Sequence, residues 1–201
     1  MYMYKRTEMG DRMAKHNPAA RRDAIVQAAA DLIVEVGPGK LTHRLVAKRA
    51  KVPLGSTTAY FASLDELRQE ALGLLVREID DALTQIRQVF ECDPAAAPDH
   101  LIDMLHDYLS ERRNVVADVA LSATATFDDQ ARELALSWAD GLVVVLREYL
   151  GADNAHAVAM ITEGAGVHAA IRGEALSRDH LRRAISPFIP ASFTPVDGDS
   201  K

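Results

Sequence analysis

The chain has 201 residues, 48% apolar and 26% charged, which excludes an intrinsically disordered protein and fits one ordinary domain or two small ones. Its one cysteine, Cys92, excludes an intrachain disulfide and any zinc site built on several thiolates, and makes a reducing cytoplasm the expected location. The net charge is −6, yet residues 1–63 carry 11 Lys and Arg against 5 Asp and Glu, while residues 64–201 carry 12 against 24. A basic N-terminal third on an acidic body points to nucleic acid or an anionic surface as partner. Solvated helix faces around Arg21, Arg22, Lys48, Arg49 and Lys51 are the plain alternative, so the motifs must decide.

Residues 1–17 are polar and are expected to form a mobile tail, neither a signal peptide nor a membrane anchor. No apolar run approaches the ~18 residues that span a bilayer. From residue 18 to 36 the apolar positions Ile25, Ala28, Ala29, Leu32, Ile33 and Val36 keep helical spacing and make one stripe. Gly37, Pro38 and Gly39 end that helix. A short helix follows, capped by Thr42, with Val46, Ala47 and Ala50 inward and Arg44, Lys48 and Lys51 on the other side. Pro53 and Gly55 break the chain before a short segment, 56–61.

Ser63 and Glu66 have the spacing of a capping box and predict a long helix to about Phe90. Asp93, Pro94 and Pro98 mark its end. Helical periodicity then predicts helices over 99–111, 114–124, 128–150, 153–174 and 178–187, with a fraying tail over 190–201. There is no glycine-rich phosphate loop and no convincing strand. The expected fold is all-α: three short helices over 18–63, then a larger helical bundle over 64–189.

The stretch 41–61 carries the chemistry. Small alanines, Ala47 and Ala50, let the next helix pack close and steeply crossed, as a helix-turn-helix requires. In that motif the second helix enters the major groove and offers its N-terminal side chains to base edges. Here those are Leu54, Gly55, Ser56, Thr57 and Thr58: hydroxyls for bases or phosphates, and methyls for thymine. Thr42, His43, Arg44, Lys48, Lys51 and Tyr60 are the expected flanking contacts, mainly to phosphate. The alternative is a helical hairpin that only packs.

In this region the sequence resembles the TetR family of bacterial transcription regulators. The resemblance rests on Thr42, Val46-Ala47, Ala50-Lys51-Val52, Gly55 through Tyr60-Phe61, and Leu64-Asp65-Glu66-Leu67, and runs over about residues 18–78. Three positions depart from the family pattern. Lys51 stands where a turn glycine is favoured, Thr58 where a tyrosine is common, and Leu64 where a lysine opens the long helix. A left-handed backbone at Lys51 would cost roughly 1 kcal/mol relative to glycine.

The resemblance implies a homodimer on a double-stranded operator, most simply a repressor released by a small apolar effector. It implies an effector pocket among the middle helices, with Met104, Tyr108, Thr124, Phe127, Trp138 and His168 as candidates, each with ordinary core packing as its alternative. It also implies a four-helix dimer interface from the last two long helices, where Gly164, Gly166, Ala169, Ala170 and Gly173 would permit close approach. The rival within that reading is packing inside one chain. No cofactor or metal is expected. Nor is catalysis: His100, His106 and His156 are scattered, and no serine or cysteine sits in a nucleophile turn. Two other readings remain open here, a helical sensor acting through a protein partner with degenerate DNA binding, and a non-specific DNA-associated protein.

Overall fold

Asn17 opens the first helix, its side-chain oxygen accepting from the Ala19 amide at 3.0 Å, with Pro18 at the first helical position, where its missing N–H leaves nothing unpaired. The structure, a computed structural model, describes residues 17–189; the tails expected at 1–16 and 190–201 lie outside the described residues. Among the described residues nine α-helices follow one another: α1 Pro18–Val36, α2 His43–Ala50, α3 Leu54–Tyr60, α4 Leu64–Cys92, α5 Ala97–Ser110, α6 Arg112–Ala125, α7 Asp129–Leu150, α8 Ala152–Arg172 and α9 Arg178–Ile185. Single 3₁₀ turns lie at Pro38–Lys40 and Ser186–Phe188, and there is no strand among the described residues. The fold is all-α.

The chain divides into two compact units. Among the described residues, one comprises 17–79 and 120–135, the other 80–119 and 136–189. The division falls inside α4.

In the first unit, α1 packs on α2 and α2 on α3. Over residues 25–34 the first helix is buried on most of its circumference, wider than the single stripe that periodicity predicts. Asp31 is therefore enclosed, and Arg49 and Gln27 supply its partners. Phe61 is fully buried beneath the Arg22 guanidinium, 5.0 Å from the ring centroid, and Arg22 also bridges α1 to Glu70 on α4. Gly37 adopts φ +86° to close α1, and a Cβ there would lie 2.8 Å from the Thr124 methyl, so backbone and space both demand glycine. Ser63 caps α4 through the Glu66 amide at 3.0 Å. The Glu66 carboxylate reaches back to the Ala62 amide at 2.6 Å, one residue further than the standard capping box.

In the second unit two apolar clusters form. Phe90 stacks on Tyr149, centroids 4.1 Å apart, beside Leu142, Leu146, Leu150, Ala155 and Val158. Ile102, Leu109 and Val115 meet Leu181 and the small side chains Ala165 and Ala169. A row of aspartates on α5 holds α9: Arg178 bonds Asp103 at 2.5 Å and Asp107 at 2.9 Å, and Arg182 bonds Asp99 at 2.8 Å. One residue, Gly151 at φ +79°, separates α7 from α8.

Candidate nucleic-acid interface

The Thr42 hydroxyl accepts from the Leu45 amide at 3.2 Å, so Thr42 starts α2 as its cap and remains exposed. From there Arg44 and Lys48 project on one face of α2, and both are exposed. Lys51 closes α2 in the left-handed conformation, φ 55° and ψ 41°, the one non-glycine positive φ among the described residues. Its amide bonds the Lys48 carbonyl, and the Val52 amide reaches Ala47 at 3.0 Å. The turn is thus built as a glycine turn would be, with an exposed cation added at its corner. Arg44, Lys48 and Lys51 have no ion pair among the described residues, whereas Arg49 is consumed by Glu35 and Asp31 and Arg22 by Glu70.

The seven-residue α3 follows Pro53. Leu54, Gly55, Thr58 and Ala59 are exposed, Ser56 and Tyr60 are half-buried. Gly55 has open space around its Cβ position, so nothing within the chain requires glycine there. Thr57 is a correction. The sequence groups it with the base contacts, but its side chain is 0% exposed and its hydroxyl donates to the Leu54 carbonyl at 2.8 Å. Its register on α3 turns it into the fold, and burial leaves it no access to a duplex. Thr58 donates to the Gly55 carbonyl at 3.2 Å and is exposed. His43 is half-buried, with its Nδ1 enclosed and without a hydrogen-bond partner, so that edge of the ring faces the fold. Sequence reasoning missed two exposed side chains, Ala59 on α3 and Leu45 on α2. Helical register carries the signal for the first: Gly55, Thr58 and Ala59 share a face once Thr57 points inward.

In the body, Met104, Tyr108 and Trp138 are half-buried. Phe127 is 72% exposed in the α6–α7 turn and His168 is exposed on α8, which removes both from the lining of an enclosed pocket within the chain. Thr124 is buried, but its hydroxyl donates to the Ala120 carbonyl and its methyl packs at Gly37, a structural role. The small residues of α8 also separate. Ala169 and Ala170 pack on the second cluster of their own chain, and Gly173 is the left-handed cap of α8 at φ +77°. At Gly164 and Gly166, a Cβ would meet nothing within 4 Å. Close packing inside the chain therefore explains neither glycine. On the same helix Met160 is 65% and Ile171 79% exposed, and with Gly164 and Val167 they recur at four- and three-residue steps.

No group of His, Cys, Asp and Glu among the described residues is arranged to hold a metal, and no helix there is long and apolar enough to cross a membrane. The all-α architecture, with a short exposed helix set behind unpaired cations, defines a helix-turn-helix regulator. No protein-family model and no curated protein matches the chain. Solved structures do. The transcriptional regulator SCO7518 from Streptomyces coelicolor A3(2) is 30% identical over 85% of this chain and 99% of its own, with a TM-score of 0.63. SCO1917 from Streptomyces coelicolor, a TetR-family member, is 27% identical over 85% and 99%, TM-score 0.62. The multidrug binding protein EbrR, complexed with malachite green, is 26% identical over 85% and 99%, TM-score 0.60. The chain belongs to the TetR family of bacterial transcriptional regulators. It is a transcription regulator and not an enzyme.

Proposed function

We propose that the protein is a homodimeric repressor that binds a palindromic operator and is released by a small, largely apolar effector. The observation that carries this reading is the outward face of α3 (Leu54, Gly55, Thr58, Ala59) flanked by Arg44, Lys48 and Lys51, none of them neutralised by a carboxylate among the described residues. Exposed cations supply affinity for phosphate, and the short helix supplies base contacts. One such helix covers too little DNA for a specific site, so two heads are placed in successive major grooves, roughly 34–36 Å apart.

The dimer reading draws on α8. Met160, Gly164, Val167 and Ile171 make an apolar, glycine-notched stripe that its own chain leaves uncovered, and Leu136 and Val144 are exposed on α7. Each mid-helix glycine costs up to about 1 kcal/mol against alanine, a cost that close approach of a second helix offsets. The effector reading draws on EbrR, which is seen with malachite green, proflavin and ethidium.

The test is a gel shift with the full chain and the promoter DNA beside its own gene. A discrete complex at low salt, resolved as two protomers per operator by sedimentation, supports the reading; no shift on any fragment overturns it. Replacing Met160 and Ile171 together by glutamate is expected to give a monomer whose operator affinity falls by about two orders of magnitude, because the second head no longer binds intramolecularly. A second reading, a helical sensor that acts through a protein partner, is favoured by one observation. With Thr57 buried and Thr58 donating to its own helix, α3 presents few groups that read bases. Effector binding without any DNA affinity would select it.

A further inference from the structure

The outward face of α3 lacks the groups that identify bases one by one. Its sequence, Leu54-Gly55-Ser56-Thr57-Thr58-Ala59-Tyr60, contains no arginine, lysine, asparagine, glutamine, aspartate or glutamate. The hydrogen bonds that pick out guanine, adenine or cytosine in the major groove come from those side chains, so α3 makes none of them. Its hydroxyls add little. Thr57 is buried, Thr58 donates to the Gly55 carbonyl, and Ser56 and Tyr60 are half-buried. What α3 shows is hydrocarbon. Leu54 is 48% exposed, and Thr58 and Ala59, each with one methyl group, are exposed as well. Leu45 on α2 is 40% exposed, next to Arg44 and one turn before Lys48. Between residues 17 and 75, all of them described, Leu45 and Leu54 are the exposed large apolar side chains. An apolar face framed by unpaired cations fits a polyanion that carries hydrocarbon within reach. The major groove offers that combination, phosphates at its rims and the C5-methyl of thymine on its floor. Open space at the Gly55 Cβ position lets such a surface come up to the α3 backbone.

We propose that α3 selects its operator through the C5-methyl groups of pyrimidines, packed against Leu54, Thr58 and Ala59, and that it accepts 5-methylcytosine where it accepts thymine. The proposal rests on the reading of the head as DNA-binding, and it names the chemistry that the head recognises. Thymine and 5-methylcytosine share the methyl group and differ at C4, which carries a carbonyl oxygen in one and an amine in the other. A methyl contact is blind to that difference. The hydroxyls near it accommodate both, because a hydroxyl donates or accepts as needed. Uracil and cytosine lack the methyl group, and with either of them the Leu54 side chain loses its apolar partner.

Fluorescence anisotropy with the full wild-type chain tests this at one fixed low salt concentration, on the promoter fragment beside its own gene and on random-sequence DNA. Each fragment is made with thymine and with uracil in its place, which removes the methyl groups and keeps charge and pairing. Each methyl group taken out of water contributes about fourfold in affinity. The uracil promoter is therefore expected to bind at least about tenfold more weakly, with no loss on random DNA. Single replacements should trace the loss to a few thymines. At those positions a cytosine–guanine pair should also lose affinity, and 5-methylcytosine should recover most of it. Leu54→Ala, a change at an exposed side chain, should at least halve the thymine-to-uracil affinity ratio. Equal affinity for the uracil promoter, the same loss on random DNA, a loss spread evenly over all thymines, 5-methylcytosine no better than cytosine, or undiminished discrimination by Leu54→Ala would each overturn the proposal. Specific binding of the thymine promoter alongside any of these leaves the regulator standing. No specific binding of that promoter removes the regulator and the proposal together.

Discussion

Cations in both units divide between ion pairs and solvent, and the units differ in where the unpaired ones lie. In the body, Arg87, Arg178 and Arg182 each meet an Asp or Glu, while Arg112, Arg147, Arg172 and Arg183 are exposed on four different stretches of an acidic segment. In the head, Arg22 and Arg49 are tied to carboxylates that hold α1, α2 and α4 together, while Arg44, Lys48 and Lys51 are left to solvent. Net charge by segment does not reveal this division. What marks an interface for a polyanion is charge the fold has declined to neutralise, gathered on one short stretch: among the described residues Arg44, Lys48 and Lys51 qualify, and Arg22 and Arg49 do not.

The largest effect that probes this comparison concerns the scaffold under the cations. Phe61→Ala empties a fully buried site that fixes the end of α3, and should cost about 3–5 kcal/mol in urea unfolding, with operator binding lost as a consequence. Next comes the body's own uncompensated charge. The folded-state pKa of Asp118, about 6, lies above its ordinary 3.8, so the folded protein holds this proton more tightly than the unfolded chain. Its contribution is therefore full below about pH 4 and is lost as pH rises through 6. Relative to Asp118→Asn, the wild type should lose about 2 kcal/mol between pH 4 and pH 7 by denaturant titration. A gap that stays constant with pH would show that the carboxylate is not desolvated.

A smaller pair of effects separates the two kinds of head cation. Lys48→Ala should weaken binding to all DNA sequences and reduce the salt slope by about 1. Arg49→Ala should leave the slope unchanged and cost up to about 1 kcal/mol of stability, since its charge is already shared with Glu35. Equal salt slopes would erase the distinction. The smallest is Lys51→Gly: relief of the left-handed strain should stabilise the fold by up to about 1 kcal/mol while DNA affinity falls.

How much of this was legible beforehand follows the length scale of the interaction. The ends of α1, the Thr42 cap and the Ser63 cap are set by neighbours within four residues, and the sequence shows them; the left-handed turn at Lys51 has no local signal and was implied only by the family resemblance. The α5 start at Ala97, two residues before the expected 99, reflects Pro98, which reads as a break yet is welcome in a first turn. Thr57 failed because a hydroxyl on a seven-residue helix looks outward until the register against α2 is known. Phe127 and His168 failed for the opposite reason: aromatic and imidazole groups suggest lining, but only tertiary packing tells a lining from a surface.

The single residue Gly151 between α7 and α8 leaves almost no slack in their connection. The direction in which the Met160–Ile171 ridge faces is thereby locked in phase to the helix before it. One inserted or deleted residue inside α8 ahead of Met160 turns that ridge by about 100°, so the length of this segment, and not only its composition, encodes which way its apolar surface faces.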